Sequence, residues 1–388
     1  MKLEYFEMER MQSTWENLVK HNLSESGVHP VSLRELIPDP RDLDEMLQLE
    51  LGYGQSNGTI ELRERIAAMY ARASADNVLV TNGSSEANFI ATWMLIEPGD
   101  EMIIMLPNYM QIWGVARGFG AEAKPFHLRE ERGWAPDLDE LDRAVSSKTR
   151  LIAVCNPNNP TGAVLSEADM DRIVEAARRA GSGGAWLLAD EVYRGAERDA
   201  AKDSAGQLLE TPSFWGRYEK VITTNGLSKA YGLPGLRIGW MVSTPEIAQR
   251  AWAYHDYTTI GPAMTSDLLA RIALRPEIRP RLLDRTRNIL KTNYPILREW
   301  IDRHRGLFSV IDPKAGAIAY IRFQMQMGSL DLVNRLREEE SVLIVPGAHF
   351  QMENFLRIGY GSNPDSLKAG LELIDSFLES HGASAVVA

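Results

Sequence analysis

A single cysteine, Cys155, stands in 388 residues, so no disulfide can form within the chain and a disulfide-built secreted scaffold is excluded. Its place in the apolar run at residues 151–155 predicts a buried, inert thiol in a reducing, cytoplasmic setting. Basic residues are also in short supply. Lys and Arg number 42 against 53 Asp and Glu, giving a formal net charge of -11, and no clustered basic footprint for nucleic acid phosphates is visible. Long hydrophobic runs are missing too. The strongly apolar stretch at residues 102–106 is far too short to span a bilayer, and the acidic opening at residues 1–10 lacks the apolar core of a secretory signal. The 7 histidines show no ligand spacing, so no metal site is expected, and His255 is expected to be structural. There is no internal repeat or low-complexity tract, only a tail at residues 382–388 that is expected to fray.

What is present is the composition of an ordinary soluble globular protein, 44% hydrophobic and 24% charged, at a length that predicts two domains. After an amphipathic arm, a glycine-rich loop at residues 51–58 leads into strand-like runs alternating with helical segments. The runs fall at residues 78–80, 101–105, 123–128, 151–155, 186–189, 221–224 and 237–242. Residues 166–180 are the clearest helix: Ser166 and Asp169 form a capping box, Met170, Ile173, Val174 and Ala177 share a face, and Gly181 stops it. Such alternation predicts an α/β fold, a mostly parallel sheet between helices, with ligands at the carboxyl ends of the strands. Residues 49–284 are read as this large domain. Residues 285–388, with helices at 285–305, at 329–340 and from 363, form with the arm 1–48 a smaller α+β domain.

The strand ends carry the chemistry. After 221–224 comes Ser228-Lys229 among small and glycine residues, with Arg237 beyond it. A lysine in a dry, glycine-lined pocket is expected to have a depressed pKa and to condense with an aldehyde, and the arginine can hold a phosphate through paired hydrogen bonds. Thr81-Asn82-Gly83-Ser84-Ser85 opens a helix, a geometry that offers amides to an anion or, equally, one in which Ser84 or Ser85 caps the helix. Asn156-Pro157-Asn158-Asn159-Pro160-Thr161-Gly162 is a rigid turn, Asp190 and Tyr193 emerge from a buried strand, and Tyr109 offers an aromatic face.

Together these supply the amine, phosphate cradle, acid, hydrogen-bond donors and stacking ring that a pyridine aldehyde cofactor requires. The whole chain resembles the class I/II aminotransferases of fold type I, enzymes dependent on pyridoxal 5'-phosphate (PLP). The motifs that carry the likeness are Asn156-Pro157-x-Asn159-Pro160-Thr161-Gly162, Asp190-x-x-Tyr193 and Ser228-Lys229 with Arg237-x-Gly239. The resemblance implies a seven-stranded, mostly parallel large-domain sheet, amino transfer from an α-amino acid to a 2-oxo acid, and a homodimer with shared sites.

It further implies that Lys229 carries the internal aldimine and shuttles the proton, and that Asp190 pairs with the pyridine nitrogen. Asn159 and Tyr193 would bind the phenolic oxygen, Tyr109 would stack, and Ser84, Ser85, Ser228 and Arg237 would hold the phosphate. Tyr53 would reach the partner's phosphate. Arg357, aided by the Gly27 backbone and Asn159, would clamp the substrate carboxylate. One departure is visible: Gly226 stands where the family often has a serine, which removes a phosphate ligand.

A narrower resemblance, in residues 24–29, 82–89 and 256–259, is to the capreomycidine synthase-like enzymes, which use the same cofactor for elimination and ring closure. The distal pocket is expected from residues 27–29 and 254–259, with His255 and Asp256 as its titratable groups, so neutral or basic amino acids are expected over aspartate and glutamate. An aminotransferase-like transcriptional regulator is a poor match, because no basic recognition helix precedes the large domain.

Overall fold

The computed structural model describes residues 3–202, 204, 206 and 209–381; the tail at 382–388 lies outside the described residues. Runs of aliphatic residues with no polar face can only be satisfied where both sides of a strand are covered. Glu101–Leu106 and Val221–Gly226 are buried at every position. They belong to a sheet in the order Val78–Thr81, Gly239–Val242, Val221–Gly226, Trp186–Asp190, Thr149–Cys155, Glu101–Leu106, Glu122–Arg129, Ala135–Pro136. The expected sheet is therefore present with an addition, the edge pair Ala135–Pro136, which makes it 8-stranded. Two residues are too few to carry a strand period, so sequence gave no sign of it.

Every strand except Gly239–Val242 and Ala135–Pro136 points the same way. The turns holding Ser84, Tyr109, Asn159, Asp190 and Lys229 therefore share one edge. Gly239–Val242 runs antiparallel to both neighbours, which brings its amino end, with Arg237 just before it, to the same edge.

Helices cover the sheet. Glu167–Arg179 has the expected Ser166/Asp169 capping box and buries Met170, Ile173, Val174 and Ala177. Gly181, at φ 62, turns the chain away after it. Ser84–Leu95, apolar nearly all round, packs with Leu79, Ile104 and Ile222 in one core cluster.

A 4-stranded antiparallel sheet follows in the chain, ordered Phe308–Val310, Ile318–Phe323, Phe355–Gly359, Val345–Pro346, with Tyr320 paired to Arg357. Helices Arg279–Arg303, Ser329–Glu340 and Pro364–Ser380 share a core with it through Leu290, Leu332, Leu371 and Ile358. The first of these starts earlier than the expected residue 285, because Pro280 sits in its opening turn, where a missing N–H costs no hydrogen bond. The arm comes back to this region: His21–Asn22 pairs in parallel with Val342–Leu343. Among the described residues no helix is long and apolar enough to cross a membrane, and no group of three or more His, Cys, Asp or Glu could hold a metal ion.

Candidate active site

The shared edge opens into a cavity of about 350 Å³ whose lining includes Ser84, Ser85, Tyr109, Asn159, Asp190, Tyr193, Ser228, Lys229, Arg237 and Arg357. Most of the site residues expected from sequence thus converge. Cys155 lines the cavity floor as well, fully buried, and burial pushes its thiol well up, away from the reactive thiolate.

Lys229 follows Val221–Gly226 and points its Nζ at Glu25 Oε1, 2.9 Å away. Burial pushes the ammonium toward neutrality, but the Glu25 carboxylate, through its charge and its hydrogen bond, and Tyr193 together raise the Lys229 pKa. The expected depressed lysine is therefore corrected: the pocket is dry enough to depress it, and a carboxylate from the arm reverses the sign. Glu25 is in turn held at about 2, chiefly by Lys229.

On one side of Lys229 lies an anion cradle. Gly83, at φ 88, is the N-cap of Ser84–Leu95 and offers no side-chain acceptor, so the serines do not cap the helix and its first amides stay available. A Cβ on Gly83 would fall 2.5 Å from Arg237 Nη2, and one on Gly239 would fall 2.2 Å from the Ser84 amide nitrogen. Both glycines are therefore conditions for the guanidinium and the helix terminus to meet. Arg237 itself adopts φ 51, ψ 40, a left-handed conformation unusual for a side-chain-bearing residue and costing about 1 kcal/mol or more. Gly226 also has a reason: a Cβ there would stand 2.9 Å from the Ile238 carbonyl oxygen, leaving no room for a serine.

On the opposite side Asp190 is buried, and burial raises its pKa against the hydrogen bonds it accepts from Asn88 Nδ2 at 2.8 Å and the Val192 amide at 3.1 Å. Asn88 Oδ1 is fixed by Thr224 Oγ1 at 2.7 Å. The relay leaves the carboxylate oriented but without a directly bonded cation. Tyr193 is buried beside it, and the Tyr109 hydroxyl donates to Glu9 Oε1 at 2.9 Å.

Arg357 is 1% exposed, so a surface ion pair is ruled out. Its Nη1 donates to Asn159 Oδ1 at 2.9 Å and its Nη2 to the Ser24 carbonyl at 2.6 Å, while its buried Nε has no partner. A buried guanidinium bonded only to neutral acceptors carries a charge that no described carboxylate offsets, and it can receive an anion. Asn159 is presented by the turn after Thr149–Cys155, which Asn158 ties down through Pro107 O and Thr161, and Asn156 through the Leu165 amide.

Two of the expected residues lie outside the cavity lining of the single chain. Tyr53 is 99% exposed and outside the cavity lining. The Gly27 amide is committed to Glu25 Oε1, and the glycine packs on Ser228 O and Lys229 Cδ. The distal wall also differs from the expected one. His255 is wholly buried, as its structural reading requires, with Nε2 against Glu86 and Thr259 at 3.1 Å, and neither it nor Asp256 lines the cavity. The wall is built instead by Met8, Glu9, Gln12 and Glu16, in and just after the helix Glu7–Trp15, together with Glu25. Sequence reasoning missed these acids and Asn88. The i, i+4 spacing of Ser84 and Asn88 on one helix face was the available signal for the latter.

Comparison with known proteins gives a consistent outcome. A family model described as aminotransferase class I and II matches residues 32–374. The chain is 33% identical over 368 residues to capreomycidine synthase of Streptomyces vinaceus, covering 93% of this chain and 90% of that one. The crystal structure of a PLP-dependent aminotransferase from Streptococcus suis superimposes with a TM-score of 0.89 at 33% identity, covering 98% of this chain and 99% of that one. The PLP-dependent cyclase OrfR, in complex with Au, gives 0.84 at 27% identity, with 98% of each chain covered.

Proposed function

Since the chain belongs to the class I and II aminotransferases and its cofactor is pyridoxal 5'-phosphate, we propose that it transfers the amino group of an α-amino acid to a 2-oxo acid. The cavity fits that cofactor. The glycines at 83 and 239 clear a cradle between Arg237 and a helix N-terminus for a dianionic phosphate, and buried Asp190 lacks the cation that a pyridine N–H would supply. The single observation that carries the reading is that Lys229, Asp190 and the anion-seeking Arg357 line one cavity.

The bound cofactor supplies an aldehyde carbon and a ring that draws electrons from the α-carbon of an attached amino acid. Lys229 Nζ would hold the aldehyde carbon, its oxygen leaving as water, and as a free amine Nζ would move the proton at the α-carbon. Asp190, oriented by Asn88, holds a proton on the pyridine nitrogen through a charge-assisted hydrogen bond. Ser84, Ser85, Ser228 and Arg237 bind the phosphate, Asn159 and Tyr193 the phenolic oxygen, and Tyr109 stacks on the ring. Arg357 takes the α-carboxylate through paired N–H donors on an edge of its guanidinium, so every substrate is an α-amino acid or its oxo acid.

The acids Glu9, Glu16 and Glu25 on the distal wall support a preference for neutral or basic side chains over aspartate and glutamate. Burial and the neighbouring Glu25 and Glu9 already raise the Glu16 pKa, so a further carboxylate there is opposed. Elimination with ring closure is the second reading, favoured by the likeness to capreomycidine synthase and to the cyclase OrfR. Tyr53, solvent-facing in a single chain, is assigned to the phosphate of a second copy, which makes the enzyme a homodimer, and the single cysteine supports a cytoplasmic setting. The division into residues 49–284 and residues 1–48 with 285–388 is part of the same reading, supported by the separate sheets.

The test is an amino-acid panel with purified protein, following cofactor absorbance and products by mass. Nitrogen appearing in an added 2-oxo acid supports amino transfer; ammonia or water lost from the donor without such transfer favours the cyclase reading. Aspartate as the fastest donor contradicts the pocket assignment.

A further inference from the structure

Glu25 belongs to no expected site, yet its Oε1 lies 2.9 Å from Lys229 Nζ. The carboxylate is fixed by its own backbone: the same oxygen accepts the Ser26 and Gly27 amides, each at 2.8 Å. Its segment is pinned on both sides by hydrogen bonds from Leu23 N to Leu343 O, Gly359 N to Leu23 O and His29 N to Gly361 O. Glycines set the closeness of the fit. A Cβ on Gly359 would fall 2.1 Å from the Glu25 carbonyl oxygen, and one on Gly361 would fall 2.2 Å from the Gly27 carbonyl oxygen. A loosely held carboxylate would follow the lysine; here the lysine must come to the carboxylate.

We infer that Glu25 is a positioning residue for Lys229: the N-terminal arm supplies a fixed anion that docks the Nζ ammonium whenever it is not bonded to the cofactor, and so decides when the amine is free to react. This rests on the proposed role of Lys229 as the cofactor-bonding residue. An ammonium has no lone pair, so one Nζ–H bond must break and its proton pass to solvent before the nitrogen can attack an aldehyde carbon. That loss leaves a neutral amine beside an uncompensated carboxylate, which disfavours it.

The other groups acting on Nζ are Glu16 from the arm, Asp190 at the end of Trp186–Asp190, Tyr193 from the turn after it, and Arg357 from the smaller sheet. Of these Arg357 favours release of the proton and Tyr193 opposes it, while burial favours release most. Removing the Glu25 charge should therefore hand control to burial, and the amine should become free at lower pH.

The experiment follows capture of pyridoxal phosphate by the cofactor-freed, full-length protein as absorbance against time, from pH 6 to pH 10, for wild type and Glu25→Gln. Glutamine keeps an oxygen for the Ser26 and Gly27 amides and removes only the charge. The cofactor's own ionisations are common to both proteins and cancel. The expected result is capture roughly tenfold faster than wild type at each pH of the range, because the variant's amine is free at lower pH. Capture no faster than wild type across the range overturns the inference. If Glu25→Gln does not fold, Glu25→Ala gives the same reading with the same two outcomes. Borohydride trapping of the wild type keeps the two levels distinct: a label on Lys229 with unchanged capture rates overturns the role of Glu25 alone, and a label on another lysine overturns both that role and the assignment of Lys229.

Discussion

Replacing Arg357 by methionine should separate substrate binding from stability. The guanidinium is fully buried, burial pushes its pKa down, and its bonded partners are the neutral Asn159 Oδ1 and Ser24 carbonyl and the Met8 sulfur. Desolvating the ion costs several kcal/mol, and the two oxygen acceptors return about 1.5 to 3 kcal/mol each. Methionine, of similar length, removes both the cost and the return. The Ser24 carbonyl keeps a donor, because Gln12 Nε2 also reaches it at 3.0 Å. That leaves Asn159 Oδ1 as the exposed loss, about 1 to 3 kcal/mol if unsatisfied. Stability should consequently change by no more than about 2 kcal/mol in either direction.

Binding has no such compensation. A substrate carboxylate deprived of its buried partner loses about 2 to 5 kcal/mol, a fall in kcat/KM of roughly 30-fold to several thousand-fold. The loss should fall mostly on KM, since the carboxylate is held in ground and transition states alike. Urea unfolding and steady-state kinetics with the best donor from the panel provide the assay. Intact kcat/KM, or inactivation accompanied by more than about 4 kcal/mol of destabilisation, refutes the reasoning.

Asp190→Asn should leave the fold intact, since it keeps one oxygen for either Asn88 Nδ2 or the Val192 amide and loses the other bond at about 1 to 3 kcal/mol, but slow exchange of the substrate α-proton by orders of magnitude; near-normal exchange would make Asp190 merely structural. Mixing Tyr53→Phe with Lys229→Ala subunits should give hybrid sites of altered cofactor affinity, and a monomer by ultracentrifugation at micromolar concentration would end that idea. Glu86 should make folding acid-sensitive. Burial opposes its ionisation, yet His255, Thr258 and the Asn82 amide hold its pKa at about 2 against an ordinary 4.5. A depressed folded-state pKa gives stability that is complete above the unfolded value and is lost as pH falls from about 4.5 toward 2. Glu86→Gln should flatten the stability profile across that window, and an unchanged slope in urea melts would contradict the assignment.

The sequence was most legible where one period or one motif acts alone. Runs such as residues 101–105 and 221–224 could be read as buried strands because they have no polar face, and Ser166 with Asp169 marks its helix start by a local rule. Lys229, Asp190 and Asn159 were legible because parallel strands bring their carboxyl ends to one edge, and Arg237, ahead of an antiparallel strand, from its spacing eight residues after Lys229. The protonation of Lys229 was not, since its sign depends on Glu25, a residue 204 positions away brought in by the arm. The distal wall was hidden for the same reason. Nothing in the spacing of Glu9, Glu16 and Glu25 tells that the helix Glu7–Trp15 lies over the cavity, a fact of tertiary packing fixed by contacts such as Phe6 on Tyr109 at 4.8 Å. The capping by Gly83 rather than by serine became visible only with Arg237 occupying the space a side chain would need.

The central claim is that Lys229 bonds the cofactor in a cavity shared with Asp190 and Arg357. Borohydride reduction of the protein loaded with pyridoxal phosphate, followed by peptide mapping, tests it most directly. The account predicts one pyridoxyl group per chain, on Lys229, and none in Lys229→Ala. A pyridoxyl group on any other lysine of the wild type, or an equal yield in Lys229→Ala, would contradict it.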